Sequence, residues 1–492
     1  MIDFIFLISS PYRALAKLAP VYFVAEVIFS IVYKLYIYPR ANRRTEPKEY
    51  RDYGRDRHLL LIRIMSRMRR TWCPNDEPFE PEFKNFLRTY FMEDPSYVPN
   101  ATDNVNVNPD PDPNPNNDPL LKDDVDDFMA WGFFGKKIPE LVEWEIKELD
   151  KLYDIAEKDF GVTFQPGRTP GIIPCLMNVD EVKALWRPLL VYIFFLALNF
   201  SGRFFLFLSG FRFYKTKSGL RYWYRADKTS HERLPLLFFH GIAPGGLAVY
   251  LPLLLGGLCG DGRAAFFFEN LPVSCSLSFH ALTEEETTQG VEEALNRHIG
   301  PDAQVTISGH SFGSCQMTWL LHAMPHRIRH MLLLDPVSIL ICYPDTMKNF
   351  AYKRFMKGQR NLDDAKITLL ASTEIFIEHY LRRQVSWYNS ELWLDDVPDN
   401  IQVTVCLSGE DGIVNVAAVK QEVDITNQLR RKIQKYPSSK ATSQKHRERL
   451  VDLVYWPEKA HGSCLFTMST WDDMRRRLFR QDFLANKSLK CA

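Results

Sequence analysis

The second half of the chain alternates short apolar runs with amphipathic stretches. Seven runs are typical of β-strands because they are rich in β-branched and aromatic residues: LRYWYRA (220–226), PLLFFHG (235–241), AAFFFENLP (264–272), AQVTISG (303–309), HMLLLDP (330–336), IQVTVCLSG (401–409) and LVDLVYWP (450–457). Several are apolar throughout, as strands buried in a parallel sheet are. Between the third and fourth runs, Thr283 to Glu286 form a capping box that opens a helix. The alternation predicts a doubly wound α/β sheet.

The first half of the chain contains two long apolar segments. Residues 18–38 are about as long as a bilayer core requires, and Arg40, Arg43 and Arg44 follow, although Glu26 within the segment weakens a spanning interpretation. A membrane anchor or interfacial helix (residues 1–44) and a buried soluble helix are both open interpretations.

The second apolar segment, residues 188–211, is interrupted in its middle by Asn199, Ser201, Gly202 and Arg203. Because an arginine is costly near the bilayer centre, a re-entrant or surface-lying element is at least as good an interpretation as a full span. Cationic residues follow both segments, so the sequence predicts no clean topology.

The remaining N-terminal regions show little chemistry. Residues 45–97 are predicted to be helical, and RDRHLLLIRIMSRMRR (55–70) either lies on anionic lipid or packs on the domain. Residues 98–122 are rich in Asn, Pro and Asp, which predicts a disordered linker. Residues 123–187 return to helical periodicity without a legible site.

Composition narrows the function classes. The 492 residues include 61 Lys and Arg against 60 Asp and Glu, so a nucleic-acid partner is not expected. The nine cysteines never form a C-x-x-C pair, and His322, His326 and His330 have no carboxylate motif beside them, so we expect no metal. A Gly-rich nucleotide loop is absent from the sequence, and no cofactor is expected.

Residues 305–316, VTISGHSFGSCQ, combine a predicted strand, a turn and a predicted helix. In a G-x-S-x-G turn, glycines at the positions of Gly309 and Gly313 allow a cramped backbone that exposes the serine hydroxyl, here that of Ser311. The helix that follows aims its N-terminal amides, with that of Phe312, at the same point. A five-residue match of this kind also arises by chance.

Three further features lie at strand ends in the right order. His240 and Gly241 end an apolar run, Asp411 follows the run 401–409, and His461 follows the run 450–457. With GHSFG, they make residues 212–492 resemble an α/β-hydrolase domain of the esterase and lipase type, and the chain as a whole resembles membrane-anchored members. The resemblance implies a nucleophile, a base and an acid (Ser311, His461, Asp411), and an oxyanion hole formed by the N–H groups of Phe312 and Ile242 on a loop with His240 and Gly241.

Two features leave alternatives open. Asp335, in LLLDPV, competes for the acid role because some lipases carry their acid after the preceding strand, and Glu410 is a weaker rival. Residues 337–399 form an aromatic-rich insertion where the family places a lid, which favours an apolar substrate or is ordinary core.

The resemblance implies a serine hydrolase that cleaves an ester of a lipid or acylglycerol through an acyl-enzyme. Its location is expected to be an intracellular membrane, with the hydrolase domain facing the cytosol. The alternatives are a lipid acyltransferase or thioesterase on the same triad, or a non-catalytic interaction protein of the same fold.

Overall fold

The structure, a computed structural model, describes residues 18–45, 57–94, 96–97, 120–228, 233–353, 365, 367–435 and 450–489. Residues 98–119 of the predicted linker lie outside the described residues. The helix that begins at Lys122 already includes the last residue of that predicted segment.

Eight strands form one large sheet, and a two-stranded ribbon lies apart from it. In chain order the strands are β1 (Phe91–Glu93), β2 (Ile172–Pro174), β3 (Arg212–Lys215), β4 (Arg221–Arg225), β5 (Leu236–Phe239), β6 (Ala265–Glu269), β7 (Val305–His310), β8 (Ile328–Leu334), β9 (Gln402–Glu410) and β10 (Asp452–Ala460). The large sheet has the order β10-β9-β8-β7-β5-β6-β4-β3, and the ribbon pairs β1 with β2. Strands β5 to β10 are parallel, and β4 runs antiparallel to both β6 and β3, so β3 runs in the same direction as the parallel strands. The prediction of a mostly parallel sheet is confirmed.

All seven predicted strands are present, and β3 is the one strand of the large sheet that the sequence pattern did not predict. Its residues are mostly exposed because it is an edge strand, so it lacks the continuous apolar run of the buried strands.

Helices fill the connections and precede the sheet. They are α1 (Leu18–Asn42), α2 (Arg57–Trp72), α3 (Phe79–Arg88), α4 (Lys122–Phe134), α5 (Glu143–Phe160), α6 (Leu189–Leu208), α7 (Leu247–Leu258), α8 (Glu284–His298), α9 (Gly313–Ala323), α10 (Pro344–Met347), α11 (Ile375–Arg383), α12 (Trp387–Ser390), α13 (Val416–Lys435) and α14 (Met468–Leu489). The predicted capping box opens α8, where the Thr283 hydroxyl accepts the Glu286 N–H and the Glu286 carboxylate accepts the Thr283 N–H.

Successive strand residues feed two separate cores. Leu237 and Phe239 of β5 point into one cluster, whereas Leu236 and Phe238 point into the other. Helices α7 and α14 cover the second face, and Trp471 of α14 packs there. The sheet is therefore buried on both sides, which accounts for its continuously apolar strands.

Helices α2 to α5 share the first core with the sheet. Leu61, Phe83, Met129 and Leu152, one from each helix, belong to the same buried cluster as Phe239. The described residues of the regions 45–97 and 123–187 thus pack against the face of the sheet that carries Phe239. For the stretch 55–70, the alternative of a helix packed on the domain fits its buried Leu60, Leu61, Met65 and Met68.

A buried arginine joins these helices to the sheet domain. The Arg67 guanidinium of α2 lies 3.0 Å from a Glu391 carboxylate oxygen and 2.7 Å from one of Glu422 on α13. All three side chains are buried, and the guanidinium also lies over the Trp393 ring. Glu391 accepts the N–H groups of Leu340 and Cys342 as well. One cation therefore connects α2, α13 and the 337–399 insertion.

Two helices, α1 and α6, are long and apolar enough to cross a membrane by length and composition. They touch each other, because the Leu189 N–H donates to the Glu26 carboxylate at 2.9 Å and the rings of Phe29 and Tyr192 meet edge to face. Helix α6 runs without interruption through the polar residues at its middle.

The polar middle of α6 faces the sheet domain. A Cβ on Gly202 would lie 2.6 Å from that of Ala248, so α6 and α7 are in close contact there. Arg203 makes a two-point ion pair with Glu269, which also accepts the Trp223 indole N–H. The charge of Arg203 is thus paired with a carboxylate of the protein. The opposite face of α6 exposes Leu190, Phe194, Phe200, Phe204 and Leu208.

We expect Arg67→Met to destabilise the protein by about 3–5 kcal/mol, because it leaves two buried carboxylates without their cation. Arg63→Met is the matched control, since Arg63 lies on the same helix and pairs with the exposed carboxylates of Asp395 and Asp396. Loss of the Arg63 ion pairs is expected to lower the free energy of unfolding by about 1 kcal/mol or less. Unfolding midpoints of the detergent-solubilised proteins measure the difference, and equal midpoints for the two variants would contradict the structural role of Arg67.

Candidate active site

Ser311 stands in a sharp turn between β7 and α9. Its φ is +52°, a left-handed value that costs a non-glycine residue energy and is stable only where its surroundings enforce it. The Ser311 N–H donates to the Leu334 carbonyl at 2.9 Å, which ties the turn to β8.

The glycines on either side of Ser311 are required by space. A Cβ on Gly313 would lie 2.1 Å from the Phe239 carbonyl oxygen, and a Cβ on Gly309 would lie 2.8 Å from the backbone of Gly313. No side chain fits at either position without a backbone shift. The sequence G-x-S-x-G here therefore has the geometry of a nucleophile elbow.

His461 and Asp411 meet beyond the ends of β10 and β9. The distance from His461 Nδ1 to Asp411 Oδ2 is 2.6 Å. The other carboxylate oxygen of Asp411 accepts the N–H groups of Ile413 and Val414, which fixes the carboxylate in place. With Nδ1 donating to Asp411, the lone pair of the neutral imidazole is on Nε2.

Asp335, the rival acid, lies in a different position. It is buried at the end of β8 with φ +42°, and its carboxylate accepts the Ser408 N–H, the Ser408 hydroxyl and the Gly462 N–H at 2.8–3.0 Å. It therefore holds the residue that follows His461, while Asp411 bonds to the imidazole itself. Glu410, the weaker rival, is exposed at the end of β9.

The two carboxylates set the charge state of the histidine. Burial lowers the pKa of His461, but the charge and hydrogen bond of Asp411, with the charge of Asp335, together raise that pKa above 6.5. Burial raises the pKa of the Asp335 carboxyl. The negative charge behind His461 thus stabilises the imidazolium that forms when the ring accepts a proton.

The loop of the predicted oxyanion hole presses against the elbow. A Cβ on Gly241 would lie 2.8 Å from the His310 carbonyl oxygen and 2.9 Å from Ser311 Cβ, so the loop places Ile242 close to Ser311. Phe312 directly precedes α9. Within the described residues, the N–H groups of Ile242 and Phe312 donate no hydrogen bond.

His240 and Tyr250 hold that loop in place. His240 Nδ1 is 2.8 Å from the Gly241 carbonyl, and its Nε2 accepts the Asn270 N–H. The Tyr250 hydroxyl accepts the Gly241 N–H at 2.9 Å and lies 2.9 Å from His310 Nδ1. Burial, with the charges of His461 and His240, holds the pKa of His310 well below 6.5, so this histidine is neutral and structural.

Ser311 and His461 line one cavity of about 240 Å³, with Ile242 and Phe312 beside them. The described residues contain no hydrogen bond between the Ser311 hydroxyl and His461, although both face this space. Such contacts are often long before substrate binds.

The roof of the cavity comes from the insertion that was expected to form a lid. Val337, Tyr343, Phe350, Leu381 and Trp387 line it. All nine residues of α11 are buried, so this part of the insertion is packed within the fold.

Sequence reasoning missed two parts of the site. Tyr250 carries no motif, and its role becomes visible only when Gly241 and His310 meet in space. The second part is the wall contributed by α2, α3 and α4, including Ile64, Phe86 and Met129. The only sequence signal for this wall is an apolar helical face, which also describes ordinary core.

Metal-type donor groups within the described residues occur only inside this network. The donor atoms of His310, Asp335 and Cys464, and those of Asp335, Asp411 and His461, lie within 4.8 Å of one another. The carboxylates in both groups already accept hydrogen bonds from the histidine, a hydroxyl or backbone N–H groups. The eight described cysteines are buried and unpaired by disulfides.

No protein-family model matches the chain, and no curated protein matches it. Among solved structures, a carboxylesterase of Bacillus subtilis is 8% identical over 59% of this chain and 98% of its own, with a TM-score of 0.35. An esterase of a Rhodococcus species is 16% identical over 55% of this chain and 98% of its own, with a TM-score of 0.36. A thermophilic esterase of Thermogutta terrifontis is 12% identical over 55% and 99%, with a TM-score of 0.36.

As the structure describes the large sheet, seven of its eight strands run in one direction and β4 runs antiparallel to both of its neighbours, β3 and β6. Here Ser311, Asp411 and His461 follow the fifth, seventh and eighth strands of the large sheet. From residue 212 onward, the chain has the α/β-hydrolase fold.

Proposed function

We propose that this protein is a membrane-associated serine hydrolase that cleaves the ester bond of an apolar acyl substrate through an acyl-enzyme. The observation that carries the proposal is the 2.6 Å pair between His461 Nδ1 and Asp411, which faces the same cavity as the strained Ser311. A serine hydroxyl is a poor nucleophile at neutral pH, and a positioned imidazole is the group that activates it.

In the proposed reaction, Ser311 Oγ attacks the ester carbonyl while His461 Nε2 accepts its proton. Asp411 holds the reactive tautomer and stabilises the imidazolium. The N–H groups of Ile242 and Phe312 bind the oxygen of the tetrahedral intermediate, a contact worth about 2.7–4 kcal/mol for each donor. His461 then protonates the departing alcohol, and a water activated by the same imidazole hydrolyses the acyl-enzyme.

The membrane part of the proposal rests on α1 and α6. Both are long enough to reach across or along a bilayer, and α1 exposes Val21, Val24, Ile28 and Ile31 over much of its length. Contiguous exposed apolar surface of this size is typical of membrane or protein contact sites. The cations of Arg40, Arg43 and Arg44 at the end of α1 fit the headgroup region.

A fluorophosphonate probe tests the nucleophile without knowledge of the substrate. We expect wild-type protein in membranes to be labelled and Ser311→Ala to be unlabelled. Asp411→Asn is expected to slow labelling on the order of 10⁴-fold, because the imidazole loses its orienting carboxylate. Asp335→Asn only loosens the loop that carries His461, so a loss of about 10²-fold is expected. Folded wild-type protein that never labels would contradict the proposal, and the reverse ranking of the two aspartates would make Asp335 the acid.

The pH dependence follows from the raised pKa of His461. Only the neutral imidazole can accept the serine proton, so the labelling rate is expected to fall as pH drops through a midpoint above 6.5. Removing the charge in Asp411→Asn lowers that pKa, and the midpoint of the residual rate is expected to move to lower pH. A wild-type midpoint below 6.5, or one that Asp411→Asn leaves in place, would exclude the coupling between His461 and Asp411.

Membrane attachment predicts that the full-length protein stays in the pellet after a carbonate wash and needs detergent for release. The double variant Val24→Asp with Ile28→Asp is expected to become extractable, since each buried aspartate costs about 2.5–3.5 kcal/mol in a membrane. Ile146→Asp is the control, because Ile146 of α5 is exposed to a similar degree on another helix. Wild-type protein in the soluble fraction without detergent would refute attachment.

A further inference from the structure

We propose that helices α2, α3 and α4, which precede the hydrolase fold in the chain, form the acyl-chain wall of the active site, and that Gly132 sets the length of chain accepted. The inference rests on the proposed ester hydrolysis and names the substrate class for that site: an ester of a long, uncharged acyl chain.

The cavity that begins at Ser311 is suited to a hydrocarbon chain. No Asp, Glu, Lys or Arg is among its described lining residues. Several polar groups on its wall are already satisfied: the Tyr90 hydroxyl donates to the Cys342 carbonyl, the Trp131 indole to Asn178, and the Trp387 indole to the Gly132 carbonyl. A charged headgroup would lose its hydration in this cavity without gaining a hydrogen-bond or ion-pair partner. The transfer of methylene groups from water into the cavity is favourable.

The wall made by α2, α3 and α4 is part of the same rigid core as the catalytic groups. Met68 lines the cavity one residue after Arg67, whose ion pairs fix α2 to Glu391 and Glu422. Tyr90, just after α3, is bonded to the roof at Cys342. This wall is therefore tied to the roof by buried polar contacts, and a length-selective pocket requires a wall that is held in place.

Gly132 is a buried glycine in the interior of α4. Steric packing does not require a glycine at this position. A Cβ at this position would meet nothing within 4 Å, unlike that of Gly202 or Gly313. Glycine inside a helix costs about 1 kcal/mol relative to alanine. Phe128 and Met129, four and three residues earlier on the same helical face, line the cavity as Gly132 does. The missing side chain thus leaves open cavity space, and a longer acyl chain extends into it.

The test is a size series at this position, Gly132→Ala, Gly132→Leu and Gly132→Phe, in the full-length detergent-solubilised protein. Hydrolysis of p-nitrophenyl esters from acetate to palmitate is measured for each. Acetate and butyrate rates are expected to fall less than the rates for longer esters, because a short acyl group needs less of the space that the new side chain fills. Laurate and palmitate rates are expected to fall in order of side-chain size, at least tenfold for Gly132→Phe.

Two controls separate the possible causes. Gly132→Ala is compatible with the helix and open space, so its unfolding midpoint is expected to equal or exceed that of wild type. Lys147→Phe adds the same ring to an exposed position of α5 and is expected to leave the chain-length profile unchanged.

The outcomes distinguish this inference from the proposed function. Labelling of every variant by a short-chain fluorophosphonate supports the proposed function. A chain-length profile that shifts to short esters as the side chain at position 132 grows supports the role of Gly132. Labelling that persists with an unchanged chain-length profile overturns the role of Gly132 alone. Equal losses for short and long esters in folded variants also overturn it. Absence of labelling and ester hydrolysis in wild type overturns the proposed function itself.

Discussion

The buried ion pairs of Arg67 are the interaction on which the site depends. A guanidinium removed from water is stable only with well-placed acceptors, and here Glu391 and Glu422 supply them. Burial raises the pKa of Glu391, whereas the charge of the adjacent Arg67 guanidinium lowers that pKa. The close contact with Arg67 therefore favours the ionised form of the buried carboxylate. Because Glu391 also accepts two N–H groups of the roof, the same carboxylate positions α2 and the chain over the nucleophile.

The opposite side of the roof is connected to the apolar helices. His379 of α11 bonds to the Ala41 carbonyl of α1, and Glu374, which caps α11, accepts the Tyr192 hydroxyl of α6. On its inner side, Tyr380 of the same helix packs edge to face against Phe312 of the elbow. One buried helix therefore separates the surface that we assign to the membrane from the residue that follows the nucleophile.

The sheet and the sharp turn at Ser311 could be predicted from the sequence because their signals are local. A strand buried on both faces needs consecutive apolar residues, and the elbow needs glycines where a Cβ would strike the Phe239 carbonyl or the turn itself. Strand β3 was missed because an edge strand needs neither signal. The sequence could not predict which of Asp411 and Asp335 bonds to the imidazole, since both follow apolar strands; in the folded chain Asp411 bonds to the His461 ring and Asp335 to the Gly462 N–H.

The acyl wall could not be predicted because its defining contacts are remote in sequence. In RDRHLLLIRIMSRMRR, the cations Arg63, Arg67 and Arg69 look equivalent, and helical periodicity cannot tell which of them is buried. Arg67 meets carboxylates 324 and 355 residues away, whereas Arg63 remains near solvent. Likewise, an apolar face signals burial but does not say whether the neighbour is protein or an empty cavity. A helical face that borders a cavity is distinguished from one that packs against protein by a residue that leaves open space beside it. In α4 that residue is Gly132. The feature of the N-terminal helices on which our proposal rests is therefore the volume that they leave unfilled beside Gly132.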